Sequence, residues 1–89
     1  IKKLLLQKKR KNQYKGDKMV EMVYVESSNL QAIGYDEIQQ ILYIEFKKSG
    51  TYQYFGVDKS IYDGFFNADS IGKYFDQMIK KAGYSFTKV

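Results

Sequence analysis

Residues 41–57 read ILYIEFKKSGTYQYFGV, and this stretch decides the fold. In its first half Leu42, Ile44 and Phe46 point one way while Tyr43, Glu45 and Lys47 point the other, the period of two that a strand requires. Lys48-Ser49-Gly50 then forms a short hairpin loop, with Gly50 supplying a left-handed backbone. Thr51 to Val57 is the return strand. A three-residue loop pairs Lys47 with Thr51, which sets Phe46 beside Tyr52 and Ile44 beside Tyr54. Both apolar sets then share one face, and that agreement supports the register.

Working outward, Asn29 to Asp36 reads as another strand, with Leu30 and Ala32 on one face and Gln31, Ile33 and Tyr35 on the other. Met19 to Glu26 (MVEMVYVE) extends a further strand before Ser27-Ser28-Asn29 breaks the pattern. Downstream, Asp58 and Ser60 are candidate N-caps for a short helix near Ile61 to Phe66, which Gly64 weakens. Asp69 or Ser70 starts a longer helix. There Ile71, Phe75, Met78, Ile79 and Ala82 make an apolar stripe, Lys80 and Lys81 suit the negative end of the dipole, and Gly83 ends it. Tyr84 to Val89 alternates as a final strand. Strands first and helices later predict an α+β fold: an antiparallel β-meander with two helices packed on one face and a short C-terminal strand.

A chain of 89 residues holds one compact core, and 44% hydrophobic content with nine Tyr and six Phe can fill it. There is no Cys, no His and no Pro. Disulfide scaffolds and thiolate chemistry are thereby excluded, and the commonest general base and zinc ligand are missing. Ser27 and Ser28 have no histidine to activate them, and no spacing among the carboxylates is diagnostic of acid–base work. The sequence therefore predicts no enzyme, no catalytic residue, no metal and no cofactor. No apolar run approaches the ~20 residues of a membrane span, and Leu4-Leu5-Leu6 is too short for a signal peptide. The expectation is a cytoplasmic protein with no membrane partner.

The charge is unevenly spread. Residues 1–18 carry eight basic residues against Asp17, a net +7, whereas residues 19–89 carry seven basic against nine acidic, a net −2. The chain divides accordingly into a basic N-terminal arm, residues 1–18, and a domain, residues 19–89. Lys8, Lys9, Arg10 and Lys11 are either a solvated linker or an anchor for phosphates.

From about Met22 to Val89 the chain resembles the KTSC domain, a small module found at the C-terminus of some lysyl-tRNA synthetases and also alone. The resemblance rests on Ser27-Ser28-Asn29-Leu30, Ala32-Ile33-Gly34-Tyr35-Asp36 and Leu42-Tyr43-Ile44-Glu45-Phe46. It continues through Gly50-Thr51-Tyr52-Gln53-Tyr54, Val57 and Ser70-Ile71-Gly72-Lys73-Tyr74-Phe75. The family often has Pro after the valine that closes the hairpin; Asp58 stands there here. Association with a tRNA synthetase implies RNA as a partner, although family membership alone does not fix function.

Two local features are candidate contacts. If Ser70 caps the second helix, Gly72 leaves the first turn open to an anion and Lys73 adds a charge. The competing account is an ordinary cap, with Gly72 present for close packing against the sheet. Among the tyrosines, Tyr52 and Tyr54 turn toward the apolar face, whereas Tyr43 lies opposite and is the better contact for a partner. The leading expectation is a non-enzymatic module that binds RNA or another phosphate-bearing ligand. The alternatives are a protein-interaction or inhibitor module and a small nucleotide-binding protein.

Overall fold

The alternation in residues 41–57 produces the two central strands of an antiparallel sheet. They are β5 (Ile41–Phe46) and β6 (Gly50–Phe55). The structure is a computed structural model that describes residues 13–15 and 18–89, with side chains from Val20 onward. Two short strands, β1 (Gln13–Lys15) and β2 (Lys18–Val20), pair as a separate hairpin. The main sheet runs β3-β4-β5-β6-β7, adding β3 (Met22–Tyr24), β4 (Leu30–Asp36) and β7 (Phe86–Lys88) to the central pair. Two short helices, α1 (Lys59–Gly64) and α2 (Ile71–Phe75), lie between β6 and β7 in the chain. A 3₁₀ turn, Phe65–Asn67, extends α1, and a π-helical turn, Asp76–Lys80, extends α2. The architecture is the expected α+β meander with a helical layer and a short last strand.

The hairpin register differs from expectation by two residues. Phe46 pairs with Gly50, and Ile44 with Tyr52, so the loop is Lys47-Lys48-Ser49. Gly50 has φ +93° and takes a place in the ladder itself instead of belonging to the loop. A slip of two preserves the face of every side chain. Phe46 and Tyr52 accordingly still meet, edge to face, with centroids 5.7 Å apart.

In β4 the departure does change faces. Leu30 pairs with Phe46 and Ala32 with Glu45, so Gln31 is an extra residue, a β-bulge. Leu30 and Ala32 therefore do not share a side. Leu30 joins Ile33, Leu42, Ile44 and Tyr54 under the helices, where Val57, Phe65, Ile71, Phe75 and Ile79 complete the main core.

The stretch Met19–Glu26 is not one strand. Lys18–Val20 and Met22–Tyr24 belong to different sheets, with the chain turning at Glu21. Val20 folds over the face of the sheet away from the helices and packs with Met22, Ala32, Ile41 and Tyr43. Gly34 makes room for this crossing, since an added Cβ would stand 2.6 Å from the Met22 sulfur and 2.9 Å from the Glu21 carbonyl oxygen. The boundary drawn after residue 18 falls inside β2.

The apolar stripe of the second helix is narrower than expected. Ile71, Phe75 and Ile79 are buried, but Met78 is 37% exposed and Ala82 is exposed. The π-turn explains it. Its i→i+5 bonding widens the turn, so residues four apart stay aligned and the three-apart neighbour swings out. No helix among the described residues is long and apolar enough to cross a membrane.

Candidate functional site

A groove of about 1030 Å³ opens between α2 with its π-turn and the end of the sheet where β5 gives way to β6. The bulged start of β4, the β5–β6 loop, the helix and the run into β7 all contribute to it. Leu30, Phe46, Tyr54, Phe75, Ile79 and Phe86 supply apolar lining. The bulge at Gln31 matters here because it turns Leu30 toward the helical side. Lys47 and Lys48 come from the hairpin loop, while Lys73 and Lys80 come from the helix.

This charge is concentrated. The domain holds seven basic residues against nine acidic ones, yet four of the basic residues and one acid, Asp76, line the groove. Asp76 is itself 3.5 Å from the Lys81 ammonium. A cationic rim around an aromatic floor, on a domain otherwise net negative, attracts an anion that carries an apolar or aromatic part.

The candidate residues divide. Ser70 does cap α2: its hydroxyl accepts the Lys73 backbone N–H at 3.3 Å. That bond occupies an N–H which an anion would otherwise use, so the open-cap anion site is reduced to what Lys73 offers as a groove residue. Gly72 also lines the groove, but close packing does not require it. An added Cβ there would meet only the Ser27 hydroxyl at 3.6 Å, an ordinary contact. Tyr43 is corrected outright. It lies on the face away from the helices, as expected, but it is 2% exposed beneath Val20 and Met22, and its hydroxyl accepts the Gln53 amide N–H at 3.2 Å. It cannot reach a partner. Lys8, Lys9, Arg10 and Lys11 lie outside the described residues.

Sequence reasoning did not assemble Lys47, Lys48, Lys80, Tyr84 and Phe86 into a site. They come from segments far apart in the chain, and only strand pairing together with the packing of α2 and its π-turn on the sheet brings them together. The available signal was that Lys47 and Lys48 close the apolar run of β5 while Lys73 and Lys80 lie along the second helical segment.

The opposite end of the sheet is different in kind. Tyr35 and Tyr62 stack at 5.1 Å with rings 13° from parallel, and Phe66 meets Tyr62 edge-on at 5.2 Å. The Tyr35 hydroxyl donates to the Val57 carbonyl, and the Tyr74 hydroxyl donates to that of Ile61 at 2.7 Å. Burial, reinforced by Asp63 and Glu21, pushes the Tyr62 phenol up to about 12. Burial raises Tyr35, Tyr54 and Tyr74 as well, with Asp58 and Glu37 adding to the effect at Tyr35. Among the described residues no group of His, Cys, Asp or Glu side chains is placed to hold a metal.

A five-stranded antiparallel meander covered by two short helices, with a groove at one end of its helical layer, defines a small α+β domain. The chain belongs to the KTSC domain family, whose model matches residues 26–84. It is 34% identical over 70 residues to an uncharacterised protein of Stutzerimonas stutzeri, covering 79% of this chain and 99% of that one. A protein of Tsukamurella paurometabola is 38% identical over 56 residues, 63% of this chain and 84% of its own. The fold matches the crystal structure of a KTSC domain protein from Yersinia pestis with a TM-score of 0.74 at 37% identity, covering 79% of this chain and 97% of that chain.

Proposed function

We propose that this chain is a non-enzymatic, cytoplasmic binding module whose groove takes a phosphate-bearing ligand, with RNA the best single candidate. The observation that carries the reading is the gathering of Lys47, Lys48, Lys73 and Lys80 around an aromatic floor, on a domain whose net charge is −2. Phosphates contribute most of the affinity in such contacts, through release of condensed counterions. Lys8 to Lys11 add long-range attraction that needs no fixed geometry.

The test is binding of mixed-sequence RNA at low and moderate salt. Three proteins are compared: the full chain, residues 13–89, and the full chain with all four groove lysines changed to Ala. Cutting before Gln13 removes Lys8–Lys11 while leaving both strands of the β1–β2 hairpin. The expected result is that the four-lysine variant loses roughly 100-fold or more in affinity and shows a shallower salt slope. The shortened chain should still bind, more weakly. If the lysine variant binds like the parent while residues 13–89 do not bind, the groove is not the site and the arm is a nonspecific phosphate anchor.

A second reading, a protein-interaction module, is favoured by one observation. Strand β7 is exposed along its whole length at the edge of the sheet, where a partner's strand can add to the ladder.

A further inference from the structure

Phe86 bears on what form of ligand the groove accepts, given the phosphate-binding reading above, on which this inference rests. The residue is 60% exposed on β7 and lines the groove. On the protein side its ring leans on Tyr54, with centroids 5.4 Å apart and planes at 31°, and Tyr52 lies 6.1 Å away. The backing tyrosines hold the ring without covering it. Tyr84, half-buried, lines the same groove. An isolated exposed Phe on a protein surface needs no explanation. An exposed Phe braced by two aromatics, in a groove carrying four lysines, has the two parts that a nucleotide requires.

We infer that the groove is a seat for an unpaired nucleotide, its base stacked on Phe86 and its phosphates held between Lys47 and Lys48 on one wall and Lys73 and Lys80 on the other. A base within a duplex has both faces occupied by its neighbours and presents only its edges. Stacking on a side chain therefore selects for a strand, loop or end that is already unpaired. Phenylalanine brings no hydrogen-bonding group, so the seat distinguishes paired from unpaired bases and has little preference among the four. Asp76, the one acid in the lining, lies within reach of Lys81 and leaves the groove cationic.

The experiment uses the full chain and follows the anisotropy of a short fluorescein-labelled RNA of mixed sequence. It is run single-stranded and as a duplex with its complement at moderate salt, alongside calorimetry with AMP. The variants are Phe86→Ala, Phe86→Leu and Phe86→Tyr, each with its melting temperature measured. Leucine keeps the apolar contact that holds β7 in place but has no ring, so it separates stacking from folding. Tyrosine keeps the ring.

The expected outcome is that the single strand binds at least roughly tenfold tighter than the duplex. Phe86→Leu should lose about 5- to 100-fold in single-strand affinity, the scale of one lost base stack. Phe86→Tyr should retain the parent's affinity. Tight binding of AMP that is lost in Phe86→Leu also supports the seat and assigns it to a free nucleotide instead of a strand. Equal binding of duplex and single strand, or a Phe86→Leu variant that binds as well as the parent, overturns the inference while leaving phosphate binding intact. No binding of either RNA or of AMP overturns both.

Discussion

At the Phe46 end of β5 the chain turns through Lys47 and Lys48, faces Lys73 and Lys80 across the groove, and leaves Phe86 open. At the Ile41 end, about 17 Å away along the strand, the neighbours are Asp36 at the end of β4, Glu37 from the turn after it, and Asp58 and Asp63 at α1. Both ends are rich in aromatics. At the acidic end, however, Tyr35 and Tyr62 stack on each other, the Tyr35 hydroxyl is spent on a backbone carbonyl, and Lys59 is tied to Asp63 at 3.1 Å. The aromatic content of this protein therefore does not mark its candidate site. The sign of the charge and the free face of one ring do.

Reversing the charge at each end is the strongest way to break this comparison. Lys73→Glu combined with Lys80→Glu is expected to lower RNA affinity roughly 100-fold or more, because two attractions become repulsions and counterion release falls. Asp58→Lys combined with Asp63→Lys is expected to leave affinity unchanged or raise it by about two- to threefold through the long-range field. A gain in the second variant as large as the loss in the first would mean that only net charge matters, and the groove would have no special standing.

Two glycines of the helical layer carry the same comparison into packing. At Gly64 an added Cβ would stand 2.0 Å from the Tyr74 hydroxyl, the atom that donates to Ile61. Gly64→Ala must push that hydroxyl off its partner and is expected to cost about 1–3 kcal/mol in denaturant unfolding. Gly72→Ala in the groove meets nothing closer than 3.6 Å and is expected to stabilise by about 0.5–1 kcal/mol, the ordinary gain of Ala over Gly in a helix. A destabilised Gly72→Ala would show that the first turn of α2 is tighter than the contact distance indicates.

A further effect concerns alkaline pH at the acidic end. The Tyr62 phenol is raised to about 12 from an ordinary 10.0, so between those values the folded state holds a proton that the unfolded state has released. Stability is thus fully present below pH 10 and declines as pH rises toward 12. Tyr62→Phe is expected to flatten that part of the decline in a melting-temperature series, whereas Phe86→Tyr is expected to leave its position unchanged.

Much of the sheet is legible in the sequence because alternation reports directly on which side of a strand faces a core. Leu42, Ile44 and Phe46 could be read this way, and a two-residue error in pairing left their faces intact. The bulge at Gln31 was not legible, because it is a property of the ladder between two strands and leaves no mark in the alternation of either one. The exposure of Met78 escaped for a related reason: a stripe drawn at the α period cannot anticipate a π-turn. Tyr43 was given its true face but read as open, because its cover includes Val20, which the sequence reading ran into one strand with Met22 instead of turning at Glu21. Ser70, Gly72 and Lys73 were correctly placed at the start of α2, yet the groove that uses two of them needs the hairpin loop and β7 as well.

The π-turn at Asp76–Lys80 has a consequence for how such a protein can change. It behaves as a helix that has absorbed a surplus residue without disturbing the buried Ile71–Phe75–Ile79 line. Removing one residue from it would restore ordinary helical bonding and rotate whatever follows by about 100° relative to what precedes. Lys80 would then leave the groove while Lys73, upstream, kept its place. Loss of a single codon there would thus shift Lys80 together with Phe86 and β7, which follow the turn, while β3 to β6 kept their pairing.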